Sequence, residues 1–237
     1  MGVLAGVYIG IGGLLLLTVG CNSPGIAASN PGLHRMVMGS FGLPVGLILV
    51  MVCGAELFTG NVLFMTAAAV ERKATLGQVL SNWVLSFTGN CVGALLLVAL
   101  ISGTGLLSTA AAPVALAVAK TSLTFTQAFT RAIAANCMVC MAVWMATACN
   151  SFPGKFLAAW VAVSTFTAIG FEHSIANAFM IPMGIAVGAP ITVSKFLTAN
   201  LLPVTLGNII GGALLALSQG YVFGRLGKPK AEPWKVA

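Results

Sequence analysis

The sequence predicts an all-α polytopic membrane protein: six transmembrane helices in an inverted 3+3 repeat, two of them broken. Three observations carry this. Of 237 residues, 59% are hydrophobic and 6% are charged, where soluble domains carry roughly a quarter of charged residues. At roughly 20 residues per span plus short connections, a chain of this length holds about six crossings. Two apolar runs too long for a single span carry matching interruptions, 116 residues apart. The composition excludes a soluble globular domain and a disordered chain, and the 28 Gly and 10 Pro suit transmembrane helices. The balance of 11 Lys and Arg against 4 acidic residues is spread along the chain, so no nucleic-acid partner is expected.

Gly2 to about Gly20 is apolar from its start, with no charged segment before it and no A-x-A cleavage site after it, and reads as a first span. Met36 to Val70 is 35 residues long with Glu56 as its single charge, too long for one straight span and too short for two. Its interruption is Gly54-Ala55-Glu56-Leu57-Phe58-Thr59-Gly60-Asn61, and Glu71-Arg72-Lys73 ends it in water. A third span runs from about Leu76 to Ser102, followed by a Gly/Ala/Thr/Ser-rich connection that contains Lys120. A fourth runs from about Phe125 to Ala148. Between Lys155 and Lys195 lie 39 residues whose ionisable groups are the adjacent Glu172 and His173, marking the second broken helix. The sixth span, about Thr198 to Phe223, leads to a basic tail of Arg225, Lys228, Lys230 and Lys235.

Six crossings put both termini on one face. That face collects Arg72, Lys73, Lys155 and the four tail cations, and the other collects Arg35, Lys120, Arg131 and Lys195. By the positive-inside rule both termini are cytoplasmic, in a multi-pass protein of the inner or plasma membrane. The two breaks share Gly, Glu and Asn in register. The spans after them match too, with Asn82 against Asn200 and Thr88-Gly89-Asn90 against Leu206-Gly207-Asn208 at an offset of 118. Three spans per half means that the halves enter the membrane in opposite directions, and broken helices of such repeats meet near the midplane. One transmembrane domain over 1–237 follows, with repeats at about 1–103 and 120–223 and a tail at 224–237.

Unwound backbone at membrane depth is tolerated where it is buried in protein or lines a cavity. Two half-helix N-termini aimed at one point suit an anion. His173 is the histidine inside an apolar run, a position that reads either as functional or as a hydrogen-bonded bridge between the broken helices. As a functional group it can hydrogen-bond a weak-acid anion or exchange a proton with it. Glu56 and Glu172, related by the repeat, are expected to cap freed amides and hold the breaks open, with Asn61 and Asn177 in similar duty. Thr59, whose repeat position is Ile175, either faces the imidazole across the pathway or caps a helix. Lys120 either concentrates anions at a vestibule mouth or snorkels to the interface. Arg131 reads as a packing or interface residue. The six cysteines are too sparse for a disulfide scaffold, and Cys137-x-x-Cys140 has neither a second pair nor a companion histidine, so neither metal nor cofactor is expected.

Four motifs in order, Glu56-Leu57-Phe58-Thr59-Gly60, Asn136-Cys137-Met138-Val139-Cys140-Met141-Ala142-Val143-Trp144-Met145, Gly170-Phe171-Glu172-His173-Ser174-Ile175-Ala176-Asn177 and Pro203-Val204-Thr205-Leu206-Gly207-Asn208, together resemble the formate/nitrite transporter family over nearly the whole chain. The resemblance implies an aquaporin-like protomer, a homopentamer in membrane lipid, and a pore in each protomer for small monovalent anions such as formate, nitrite, lactate or hydrosulfide. It also implies a central histidine at His173, a loop threonine at Thr59, a vestibule lysine at Lys120 and buried asparagines at Asn136 and Asn208. Apolar constrictions fall on Leu43, Leu47, Leu57 and Val139, and on Phe166 in the other half. Formate-type members resemble one another in an aromatic where this chain has Leu43, which implies a differently shaped constriction.

The expected function is that of a passive or proton-coupled channel for small monovalent anions, with anions and protons as partners and His173 assisting anion protonation, and not enzyme catalysis. Stripping an isolated anion of water in a low dielectric costs on the order of tens of kcal/mol, which is the physical reason for a proton or hydrogen-bond donor at a constriction. The alternative is a neutral-solute channel of the water, glycerol or ammonia type, although paired Asn-Pro-Ala boxes are absent. A membrane haem protein would need axial ligand pairs that a single intramembrane histidine cannot supply.

Overall fold

The structure, a computed structural model, describes residues 1–224, so the tail cations Arg225, Lys228, Lys230 and Lys235 lie outside the described residues. Twelve α-helices and two π-helical segments make up the described residues, without a strand. They are α1 (Gly2–Leu15), α2 (Pro24–Ser29), α3 (Pro31–Ser40), α4 (Leu43–Cys53), α5 (Phe58–Val70), α6 (Leu76–Thr104), α7 (Ala111–Thr121), α8 (Phe125–Thr147), α9 (Phe152–Ile169), α10 (Ser174–Ala186), α11 (Val193–Lys195) and α12 (Leu202–Val222). Leu16–Gly20 extends α1, and Phe196–Leu201 joins α11 to α12, as the π segments. Six stretches are long and apolar enough to cross a membrane: Gly2–Gly20, Pro31–Cys53, Leu76–Thr104, Phe125–Thr147, Phe152–Ile169 and Val193–Val222. The protein is a multi-pass membrane protein.

The long helices are apolar on all sides, as helices facing both protein and lipid must be. Their ends are set locally. Thr75 with Gln78 and Thr124 with Gln127 form reciprocal capping boxes at the starts of α6 and α8. Proline occupies the first turn of α3, α4 and α9, where a missing N–H costs nothing. The Gly/Ala/Thr/Ser-rich connection between α6 and α8 contains α7, and the second span begins at Pro31 rather than near Met36. Alanine-rich composition explains α7, since Ala is the best helix former.

The packing follows the repeat. α1 lies on α6 as α8 lies on α12, and α1 on α4 as α8 on α9. Both long-helix pairs close through glycine: a Cβ at Gly93 would collide with the carbonyl of Val3, and one at Gly211 with that of Ile133. The short helices cross over, α5 packing on α12 and α10 on α6, each on the last helix of the opposite half. The breaks fall at Gly54–Leu57 and Gly170–His173, and both begin on a glycine with positive φ, 76° at Gly54 and 90° at Gly170. A side chain at either would meet no other atom within 4 Å, so backbone conformation alone selects glycine there.

Candidate functional site

The two breaks bring the N-termini of α5 and α10 together. Thr59, in the first turn of α5, and His173, the N-cap of α10, are both buried, with Thr59 Oγ1 2.9 Å from His173 Nε2. The other ring nitrogen, Nδ1, accepts from the backbone N–H of Ala176 at 3.1 Å. An acceptor at Nδ1 assigns the neutral ring's hydrogen to Nε2, and that N–H donates to Thr59 Oγ1. The Phe166 ring lies nearly parallel to the imidazole, 16° between planes and 6.2 Å between centroids.

Each break is held by the same set of side chains, used twice. Asn90 Oδ1 accepts from Phe58 N and Asn208 Oδ1 from Ser174 N, both at 2.8 Å. Their amide groups donate to the backbone oxygens of Glu56 at 2.8 Å and Glu172 at 3.1 Å. Asn61 Nδ2 donates to Glu56 Oε2 and Asn177 Nδ2 to Glu172 Oε2, each at 2.6 Å. The same two amides reach Asn82 Oδ1 at 3.0 Å and Asn200 Oδ1 at 2.8 Å. The capping expected of the glutamates therefore falls to Asn90 and Asn208, and the carboxylates serve instead as acceptors for Asn61 and Asn177. The π segment places Asn200, whose Nδ2 also donates to the carbonyl of Lys120 at 2.9 Å. Asn136 departs from the symmetry: its Nδ2 donates to the carbonyls of Thr59 at 3.2 Å and Asn208 at 2.6 Å, tying the Thr59 turn to α12.

The two glutamates differ in environment. Glu172 is 3% exposed and accepts from Lys120 Nζ at 2.9 Å through Oε1, whereas Glu56 is exposed. Lys120, at the end of α7, is thus both an ion-pair partner and a wall of the adjoining vestibule.

Three spaces lie along one path. The first vestibule, about 410 Å³ of room for the centre of a water-sized particle, is lined by Lys120, Glu172, Arg35 and Arg131. The second, about 370 Å³, is lined by Glu56, Asn61 and Lys155. Between them a central cavity of about 10 Å³ is walled by His173 and by Ile9, Leu43, Leu47, Leu57, Val139, Val163, Phe166 and Ala176. That is room for roughly one water-sized particle. Leu43 faces both the Lys120 vestibule and the centre, while Leu47 and Leu57 face both the centre and the Glu56 vestibule, so these three are the partitions. All five expected constriction residues meet at this point. Ile9, Val163 and Ala176 were not singled out in the sequence, because an apolar residue in an apolar helix gives no sign of which side it faces. Arg131, expected as a packing or interface residue, stands in the vestibule wall. Among the described residues no group of three or more His, Cys, Asp or Glu could hold a metal ion.

Comparison with known proteins shows the family. Residues 1–221 match the family model described as formate/nitrite transporter. A protein named probable formate transporter from Methanothermobacter thermautotrophicus is 42% identical over 231 residues, covering 89% of this chain and 82% of the relative. The formate channel FocA of Escherichia coli (strain K12) is 42% identical over 238 residues, 91% of this chain and 82% of FocA. Among solved structures, one described as a pentameric formate channel with formate bound superposes with a TM-score of 0.83 at 31% identity, covering 93% of this chain and 94% of that one. An FNT family ion channel gives 0.85 at 32% identity, covering 93% and 87%. The chain belongs to the formate/nitrite transporter family.

Proposed function

We propose that the protein passes small monovalent anions, formate first among them, through a pore in each protomer, with protons as co-substrates. The observation that carries this reading is the Thr59–His173 hydrogen bond at the meeting of two half-helix N-termini, beside a cavity otherwise walled by apolar side chains. Relatives named formate channels support the substrate class, and the neutral-solute alternative finds no support among them.

An anion entering from the Lys120 vestibule passes Leu43, loses its water and meets the imidazole. There it competes with Thr59 Oγ1 for the Nε2 hydrogen, while the positive ends of α5 and α10 offset part of the desolvation cost. A ring that has gained a second proton on Nδ1 gives up its bond from Ala176 and can pass the Nε2 proton to the anion, which then crosses Leu47 and Leu57 as a neutral acid. Asn136 and Asn208 hold the loops that present Thr59 and His173. We assign both termini to the cytoplasm by charge, a homopentamer in lipid by similarity to the pentameric neighbour, and one domain over 1–237 with repeats at about 1–103 and 120–223.

A competition flux assay in proteoliposomes, with formate, nitrite, hydrosulfide and lactate at several pH values, tests the reading. Formate uptake blocked by the other small anions supports it. Glycerol or ammonia permeation without anion flux contradicts it.

A further inference from the structure

The charge of Lys120 is cancelled where it stands, because Glu172 Oε1 lies 2.9 Å from its Nζ. Two guanidinium groups of the same vestibule, Arg35 on α3 and Arg131 on α8, are exposed and form no ion pair among the described residues. His34, also in that wall, hydrogen-bonds Ser23 Oγ through Nδ1 at 2.7 Å. Among the side chains that line the opposite vestibule one carries each sign, Glu56 and Lys155, with Met1 beside them. One mouth of the path therefore carries two unpaired side-chain cations, whereas at the other the side-chain charges cancel in sum.

We propose that Arg35 and Arg131, and not Lys120, are the charges that collect anions at this mouth, and that they set the anion concentration at which transport saturates from that side. The inference rests on the small-anion reading above. Low-dielectric walls focus the field of such charges and raise the local concentration of counter-ions. Two unit charges about 10 Å from the anion in water enrich it roughly three- to five-fold. Salt removes this enrichment, since the screening length falls to roughly 6 Å near 0.3 M.

The test is formate influx into proteoliposomes at about 10 mM and about 0.3 M ionic strength, set with gluconate. R35Q/R131Q should raise the half-saturating formate concentration roughly three- to five-fold at low ionic strength and leave it at the wild-type value at high ionic strength. R35K/R131K, which keeps both charges, should restore the wild-type response. A half-saturation that ignores the arginines at low salt, a shift that persists at high salt, or a lysine pair that fails to restore overturns the assignment while the small-anion reading stands. A wild-type protein that carries no formate at either ionic strength overturns both.

Discussion

Lys120 and Glu172, 52 residues apart, form a buried ion pair at 2.9 Å with side chains 12% and 3% exposed. Removing one partner of such a pair leaves an uncompensated charge out of water, at a cost of about 3–5 kcal/mol. Lys120→Met should therefore lower the unfolding temperature in detergent markedly. The double variant Lys120→Met/Glu172→Gln should recover most of that loss. A single variant as stable as wild type would mean that the pair does not hold the second break.

Asn208 joins three elements through one side chain, accepting from Ser174 N and donating to the carbonyls of Glu172 and Ala132. Asn208→Ala orphans these groups in a dry interior, at about 2–4 kcal/mol. Asn208→Asp keeps an acceptor for the cap on α10 but turns a carboxylate oxygen toward two carbonyls in a dry interior, and should cost at least as much as alanine in thermal unfolding. Because Asn90 makes the same contacts in the first half, Asn90→Ala should cost a similar amount.

Gly170 sits at φ 90° and ψ 36°, in left-handed conformation, with nothing near a Cβ position. Gly170→Ala should cost about 1–2 kcal/mol through backbone strain alone, and Gly170→Asn less, since asparagine tolerates that region. Chemical denaturation of the two variants side by side checks the order. Equal costs for both would contradict a purely conformational origin.

How much of this was legible in the sequence depended on contrast. Glu56, Glu172 and His173 stand out because each is an ionisable group in an apolar run, and the constant offset between the breaks makes the repeat legible in the sequence alone. Asn90 and Asn208 stand out as polar residues in register, expected to hydrogen-bond the broken segments, but which backbone groups they cap is not legible, because each finds its partners more than 30 residues upstream through a helix crossing. The glutamates were expected in that role on general grounds of helix polarity, and the longer reach of the asparagines from α6 and α12 took it from them. The helix α7 was hidden by a Gly, Ala, Thr and Ser composition that also suits a loop. Arg131 illustrates the remaining gap: which face of α8 turns toward a vestibule is settled by packing against α9 and α12.

The Thr59–His173 contact carries the account, and the initial rate of formate uptake into proteoliposomes by His173→Ala, compared with wild type, tests it most directly. Loss of a buried hydrogen-bond donor to an anion, at about 1.5–3 kcal/mol, should slow uptake by about ten-fold or more, with the variant still folded. Thr59→Val, which removes only the hydroxyl, should slow it less. Uptake by His173→Ala at the wild-type rate and with wild-type pH dependence would contradict the central role of the imidazole.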